Sequence, residues 1–477
     1  MTALYITGFF ILLIAFILAR AALFLPKKQE ETEQGEVSYD GDAAVAALAE
    51  LIKCRTVSYY DGALEDDGEF EKLIAKLPEL YPDAVRTCPM ERLPDRALLF
   101  KWAGKQEGDA SVLMAHYDVV PVEESDWEKP PFDAVIEDGV MWGRGTLDTK
   151  VTLNGILSAA NELIKQGFQP EHDVYFAFSG GEEVNGQGAA HIVQRFQENG
   201  VKPAMVLDEG GGVVENVFPG VTRPCGLIGI AEKGTMNLRL SFAGEGGHAS
   251  APEPHTPVGR LAMACVRAEA HPFRAHITRP AREMFNVLGR YSSFGYRVIF
   301  ANLWCFGWVL DLICKRSGGE LNALLRTTAA FTQMEGSAAP NVIPAEASMV
   351  ANLRLNPKDS VEEATDYIRR VIRDDAIKLD DLNSMEPSPI SRTDGIGWER
   401  VVSAVRGTWR DALVAPYLMV ACSDSRHYRD LSDRVYRFSA MALTAEERRT
   451  IHGSNERITL AAAKKAVEFF MRVLTQC

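Results

Sequence analysis

The sequence predicts an α/β body interrupted by an inserted α+β unit and preceded by an apolar N-terminal helix. Two changes of pattern and one of length carry this prediction. From about residue 41, helical spacing alternates with short, near-continuous apolar runs, "SVLMAHYDVV", "DVYFAFSG" and "AMVLDEGG", which suit parallel strands buried on both faces. After Lys233 the runs alternate apolar with polar, as in "TMNLRLSFAG" and "SMVANLRLNP", and this implies a sheet covered on one face only. With 477 residues the chain is also too long for one compact core.

In order along the chain, Ala3 to Leu25 is largely apolar with Arg20 near its end, and it has the length that crosses a bilayer as a helix. It reads as a single membrane anchor or as a cleaved signal; "ARA" at 19 to 21 suits a signal, whereas no Lys or Arg precedes the apolar run. Lys27 and Lys28 follow, which under the positive-inside rule would leave the body in the cytoplasm, although the side stays open. Residues 26–40 are polar and acidic and read as a linker.

Residues 41–232 form the first part of the α/β body, 233–390 the insertion, and 391–477 the second part, ending in the helical "AAAKKAVEFFMRVL". Inside the insertion, residues 296–314 ("YRVIFANLWCFGWVLDLIC") are as apolar as a short membrane segment but carry Asn302, Gly307 and Asp311. They read as a buried helical hairpin, or as a surface that touches lipid or receives an apolar chain.

A net charge of -14 without a Lys/Arg cluster excludes a general nucleic-acid binder. The eight cysteines show no paired CxxC spacing and too low a density for a disulfide scaffold, so they read as mostly buried thiols.

Acid and imidazole groups gather in "MAHYDVVPV", "MWGRGTLDTK", "SGGEEVNGQG", "VLDEGG" and "TIHGSNE", all at expected strand ends or loops. Ligand sites of open α/β sheets lie beyond the carboxyl ends of strands. A pair of metal ions roughly 3.5–4 Å apart needs a bridging carboxylate and about two further ligands each. His116, Asp148, Glu183, Asp208 and His452 supply that mixture. Asp118, two residues after His116 on an extended strand, can reach the ring nitrogen that faces away from a metal. Taken singly, each of these residues reads as an ordinary capping or surface group, and the adjacent Glu182 and Glu183 as a solvated turn.

In these motifs, in their order, and in "CSDSRHY" and "IHGSNE", the chain resembles the di-zinc metallopeptidases that include carboxypeptidase S, glutamate carboxypeptidase and aminoacylase. It looks most like the carboxypeptidase S branch, which also holds the N-fatty-acyl-amino-acid synthase/hydrolases. The resemblance implies a zinc-peptidase-like α/β catalytic domain with an inserted ferredoxin-like lid and dimerisation domain. It implies two Zn2+ per subunit bridged by Asp148, with His116 and Asp208 completing one site and Glu183 and His452 the other. Glu182 would be the general base, and the Asp148–Thr149 peptide would be cis. His248 in "GEGGHAS" would stabilise the oxyanion, often across a homodimer. Asn341 and Arg354, with Arg426 and His427, would bind the substrate carboxylate. The family's "TDSRHY" has Thr where this chain has Ser423, which keeps the hydroxyl.

The activity implied is a reversible amidohydrolase acting on N-acyl, including N-fatty-acyl, amino acids with a free carboxylate. A carboxypeptidase or dipeptidase acting on short peptides is the alternative, and a non-catalytic membrane-tethered binding protein the third reading.

Overall fold

The computed structural model describes residues 2–27, 35–218 and 220–477. Residues 28–34 of the expected linker, Lys28 among them, lie outside the described residues. Among the described residues, ten strands form one mixed sheet. At its centre Ser111–His116 runs parallel to Val174–Ser179, with Ser111 opposite Val174 and His116 opposite Ser179, and parallel to Met205–Asp208 on its other side. Two strands therefore finish side by side, at His116 and Ser179, and the acidic turns follow directly.

The apolar runs are buried on both faces, as their composition predicts. One face packs against the helices Gly41–Ile52, Lys150–Lys165 and Leu460–Leu474, with Leu113, Ala115, Phe176 and Leu207 pointing into that core. The other holds Val112, Met114, Ala177 and Val206 against Ile192 and Phe196 of the Gly188–Glu198 helix. Gly155 lets the two long helices touch; a Cβ there would lie 2.9 Å from the Phe470 ring. The Asp148–Thr149 peptide at the start of one of them is cis. All eight cysteines are free, and five of them are buried.

A separate four-stranded antiparallel sheet has the order Thr328–Glu335, Glu346–Leu355, Gly234–Ala243, Lys378–Met385. Its alternation is the one legible in the sequence. Met236, Leu238, Leu240, Met349, Ala351 and Leu353 face the helices Pro257–Ala270 and Val361–Ile372, while Asn237 and Asn352 pair on the outer face.

The helical stretch 279–325, expected within the insertion, packs elsewhere. Met284, Phe285, Leu288, Phe300, Leu310 and Leu325 lie against Leu227, Leu413, Ala415 and Leu418 of the large sheet. Phe218 joins them, with its ring 4.9 Å from that of Phe300 and 5.8 Å from that of Phe285. An amphipathic helix announces its apolar face but not which sheet will cover it. Within residues 296–314, expected as a helical hairpin or a lipid-touching surface, Phe294–Ala301 and Leu303–Ser317 are separate helices bent by 120° at Asn302.

Candidate metal centre

Each ligand candidate is delivered by the end of a regular element. His116 closes its strand, Glu182 and Glu183 form a single turn just after Ser179, and Asp148 precedes the long Lys150–Lys165 helix. His452 sits in a turn at φ 59°, left-handed backbone that a non-glycine residue adopts where the surroundings hold it.

The geometry is that of two imidazoles sharing one carboxylate. His116 Nε2 lies 3.0 Å from Asp148 Oδ1, and His452 Nε2 lies 2.9 Å from Asp148 Oδ2. Glu183 Oε2 is 3.1 Å from His452 Nε2, and Glu209 Oε1 is 3.3 Å from His116 Nε2. Ligand atoms around a tetrahedral zinc at its usual bond lengths are roughly 3.3 Å apart, close to these separations. Ligand atoms of His116, Asp148 and Glu183 all lie within 4.8 Å of one another, as do those of His116, Glu182 and Glu209.

The electrostatics point the same way. Burial pushes the Glu182 carboxyl well above the usual range, against the pull of His116 and with Asp424, Glu209 and Glu183 adding repulsion. Burial, then the Asp148 charge, raises Glu209 to about 8. Hydrogen bonds to Asp148 and Glu183 raise His452 to about 10. Glu183 Oε1 is buried without a hydrogen-bond partner. So many acids in a dry place lack positive charge, and divalent cations supply it. The residues present therefore fit a metal centre.

Of the two adjacent acids at this strand end, Glu209 rather than Asp208 stands beside His116. Asp208 Oδ2 accepts the Ser425 amide at 2.9 Å, and Oδ1 accepts the Glu209 amide at 2.9 Å. The reason is strand parity. Asp208 shares the face of Val206, which is covered by the Gly188–Glu198 helix and the turn Asp424–Asp430, whereas Glu209 is the first residue beyond the strand. Beneath Asp208, Ser423 and Ser425 donate to Glu232 Oε1 at 3.1 and 2.9 Å, and Arg437 Nε reaches the same oxygen at 2.5 Å. The hydroxyl of Ser423 is what this network uses.

Asp118 is fully buried and holds the double-acid turn. Its two carboxylate oxygens accept the Glu182 and Glu183 amides, each at 3.1 Å. His116 Nδ1 lies 3.0 Å from the Asp118 carbonyl and 3.4 Å from its carboxylate, so the backbone oxygen is the nearer acceptor for the ring.

Glu456, at the end of "IHGSNE", escaped the sequence reading although its motif did not. It is fully buried. Its Oε1 accepts the amides of Leu147 and Asp148 at 2.6 and 3.2 Å, and its Oε2 accepts Gly145 N at 3.1 Å and Arg144 Nη1 at 2.6 Å. It positions the loop that carries Asp148. Glu456→Gln replaces one acceptor by a donor among donors and unpairs Arg144. The expected result is a fall in metal affinity of about 10–100-fold, read by competition with a chromophoric chelator, with a lowered thermal midpoint. An unchanged affinity would remove the positioning role.

The substrate-side residues divide. Arg354 Nη1 lies 3.9 Å from Cys422 Sγ, and Cys422 lines the cleft beside Asp148, Glu182, Glu209 and His452. Arg426 Nη1 bonds the Ser423 carbonyl at 2.9 Å and stands 3.8 Å from Glu182. His427 is partly buried with Nε2 unpaired, and burial followed by the Arg426 charge pushes it down to about 4, leaving a neutral imidazole at pH 7. His248 and Asn341 are exposed. Their loops join each other, through the His248–Val342 ladder and Ala249 N to the Asn341 carbonyl at 3.0 Å, and no described hydrogen bond or ion pair links them to the metal-ligand cluster. The cleft encloses about 490 Å³ and has an apolar wall that includes Val214, Leu227, Tyr417, Met419 and Ile451.

A His/carboxylate cluster at the strand ends, largely buried apart from the half-exposed His452 and opening on a cleft, is the arrangement a metallohydrolase uses. The model of the peptidase family M20/M25/M40 matches residues 112–476, and the chain belongs to that family. It is 35% identical over 435 residues to probable carboxypeptidase S-like 2 of Dictyostelium discoideum, covering 90% of this chain and 83% of that one. It is also 35% identical over 439 residues to the N-fatty-acyl-amino acid synthase/hydrolase PM20D1 of Xenopus tropicalis, covering 90% and 85%. Among solved structures, the M20 family metallo-carboxypeptidase Sso-CP2 from Sulfolobus solfataricus superposes with a TM-score of 0.67 at 17% identity, over 91% of this chain and 98% of that one. Human carnosine dipeptidase 1 does so with 0.63 at 14% identity, over 91% and 97%.

Proposed function

We propose that the protein is a di-zinc amidohydrolase that cleaves, reversibly, the amide of N-acyl and N-fatty-acyl amino acids with a free carboxylate. The observation that carries this is the sharing of Asp148 between His116 and His452, with Glu182 beside them and an apolar wall across the cleft. The identity of about a third to the fatty-acyl synthase/hydrolases supports the acyl class. Asp148, between the two imidazoles, would be shared by both metal ions, with His116 and Glu209 available to hold one and Glu183 and His452 the other. When bound, these ions polarise the scissile carbonyl and make water a better nucleophile. Glu182 takes the proton of the attacking water and delivers it to the departing amine, so the C–N bond breaks, the hydroxyl stays on the acyl carbon and the proton ends on nitrogen. Arg354, with Arg426 and His427, receives the carboxylate of the amino-acid half. The N-terminal helix anchors the body to a membrane.

Cleavage of short peptides is the second reading, supported by the names of the carboxypeptidase and dipeptidase relatives. The two part on N-oleoyl-phenylalanine, N-acetyl-phenylalanine and Gly-Phe, with amine release followed by mass spectrometry. Preference for the oleoyl compound supports the first reading, and preference for the dipeptide supports the second.

His248 and Asn341 serve the site of a second copy paired through the small sheet. Their exposure and separation from the chain's own cluster support this. Glu182→Gln and His248→Ala protomers are then each inactive alone. Mixed one to one and allowed to exchange, half the dimers are hybrid with one complete site, so activity returns to about a quarter of wild type. No recovery on mixing removes the shared site.

A further inference from the structure

The bent helix pair at residues 294–317 presents two unlike faces. Phe300, Ala301, Leu310 and Cys314 are buried in the body, whereas Phe294, Trp304, Trp308 and Leu312 are exposed, the two tryptophans at 61% and 68%. Trp304, Trp308 and Leu312 follow each other at four-residue spacing and so share one helical face. The N-terminal helix, Thr2–Leu23, is docked against the bend. Arg20 Nε and Nη2 donate to the Ala301 carbonyl at 3.2 and 2.9 Å. Asn302, fully buried, donates to the Ile17 carbonyl at 3.2 Å. Arg290 donates to the Leu25 carbonyl at 3.0 Å, and its guanidinium lies 4.3 Å from the centre of the Phe24 ring. These links hold only the last turns of the helix; from Leu4 to Phe16 its large apolar side chains, Leu13 excepted, are exposed.

We propose that the Trp304–Trp308–Leu312 face and the N-terminal helix form one lipid-facing surface, with the first helix crossing a bilayer and Leu303–Ser317 lying in its interface. This rests on the reading of the N-terminal helix as an anchor. The occupant is a bilayer because the docking bonds place the bend beside residues 17–25, the end of the apolar span, where the headgroups begin. Tryptophan is the residue that this level favours. Asp311 on this helix is neutralised by Lys315 at 3.0 Å and by Arg326, and its last turn carries Lys315 and Arg316, which suit anionic headgroups.

The chain that leaves this helix reaches the catalytic cleft. Gly318 and Gly319, at φ 64° and 52°, turn the chain into Gly319–Leu325, where Glu320 lines the cleft and accepts the Tyr417 hydroxyl at 2.5 Å.

The test uses the full chain in phosphatidylcholine/phosphatidylserine vesicles containing lipids brominated at defined depths, with tryptophan fluorescence as the readout. The N-terminal helix holds no tryptophan, and the other five, Trp102, Trp127, Trp142, Trp398 and Trp409, belong to the body. Shallow bromines are expected to quench a component that the Trp304→Phe/Trp308→Phe variant, which keeps the face apolar, has lost. Equal quenching of wild type and variant, in a chain that still resists carbonate extraction, overturns the lipid face and leaves the anchor standing. Release by carbonate, or a mature mass lacking the helix, overturns the anchor and the lipid face with it. Absence of quenching together with disulfide-linked dimers of Trp308→Cys reassigns the face to a second copy and overturns the proposal.

Discussion

Glu182→Gln is expected to lower turnover by about 10²–10⁴-fold, which corresponds to roughly 3–5 kcal/mol of barrier at about 1.4 kcal/mol per decade, without changing the zinc content. The carboxamide has nearly the same shape and still follows Gly181 into the turn that the Asp118 carboxylate holds through the Glu182 and Glu183 amides. What it loses is the capacity to take a proton from water and return it to nitrogen. KM should move little, because the proton is in transit only in the transition state. Zinc analysis of the same sample makes the result decisive. Glu182 also lies among the ligand atoms grouped around His116 and Glu209. Loss of a metal equivalent along with turnover would make it a ligand and leave the base to another group.

The second large effect separates two adjacent acids. Glu209→Ala removes the carboxylate 3.3 Å from His116 Nε2 and is expected to drop zinc from two equivalents towards one, with turnover falling by three or more decades, on the order of 4 kcal/mol. Asp208→Asn keeps an oxygen that can accept the Ser425 or Glu209 amide but not both. It is expected to cost about 1–3 kcal/mol of stability with both metal equivalents retained. Metal analysis after dialysis, alongside thermal unfolding, reads both. The reverse pattern, with metal lost from the Asp208 variant and kept by the Glu209 variant, would restore Asp208 as the ligand.

The comparison between these two acids shows where sequence reading stops. "VLDEGG" announces a strand end with acids beyond it, and that much is encoded locally in a few residues. Which acid turns towards His116 depends on what covers each face of the strand, here the turn Asp424–Asp430 that arrives more than two hundred residues later and claims Asp208. The same division holds for Glu456, whose motif was legible but whose hold on the Asp148 loop exists only after that loop has packed against it.

The sequence by itself determined the alternation of buried strands and helices, the one-sided small sheet, the placing of His116, Asp148, Glu182, Glu183 and His452 at element ends, and an N-terminal helix long enough to cross a membrane. Each is a matter of periodicity or residue type within a short window. Only the tertiary structure decided that residues 279–325 lie on the large sheet, that the apolar segment bends at Asn302 and seats the N-terminal helix there, and that Arg354 reaches Cys422 while His248 stays apart from its own chain's metal ligands. A periodic pattern states that a face is apolar, but the partner that buries it is chosen by long-range packing, and no short window of sequence contains that partner.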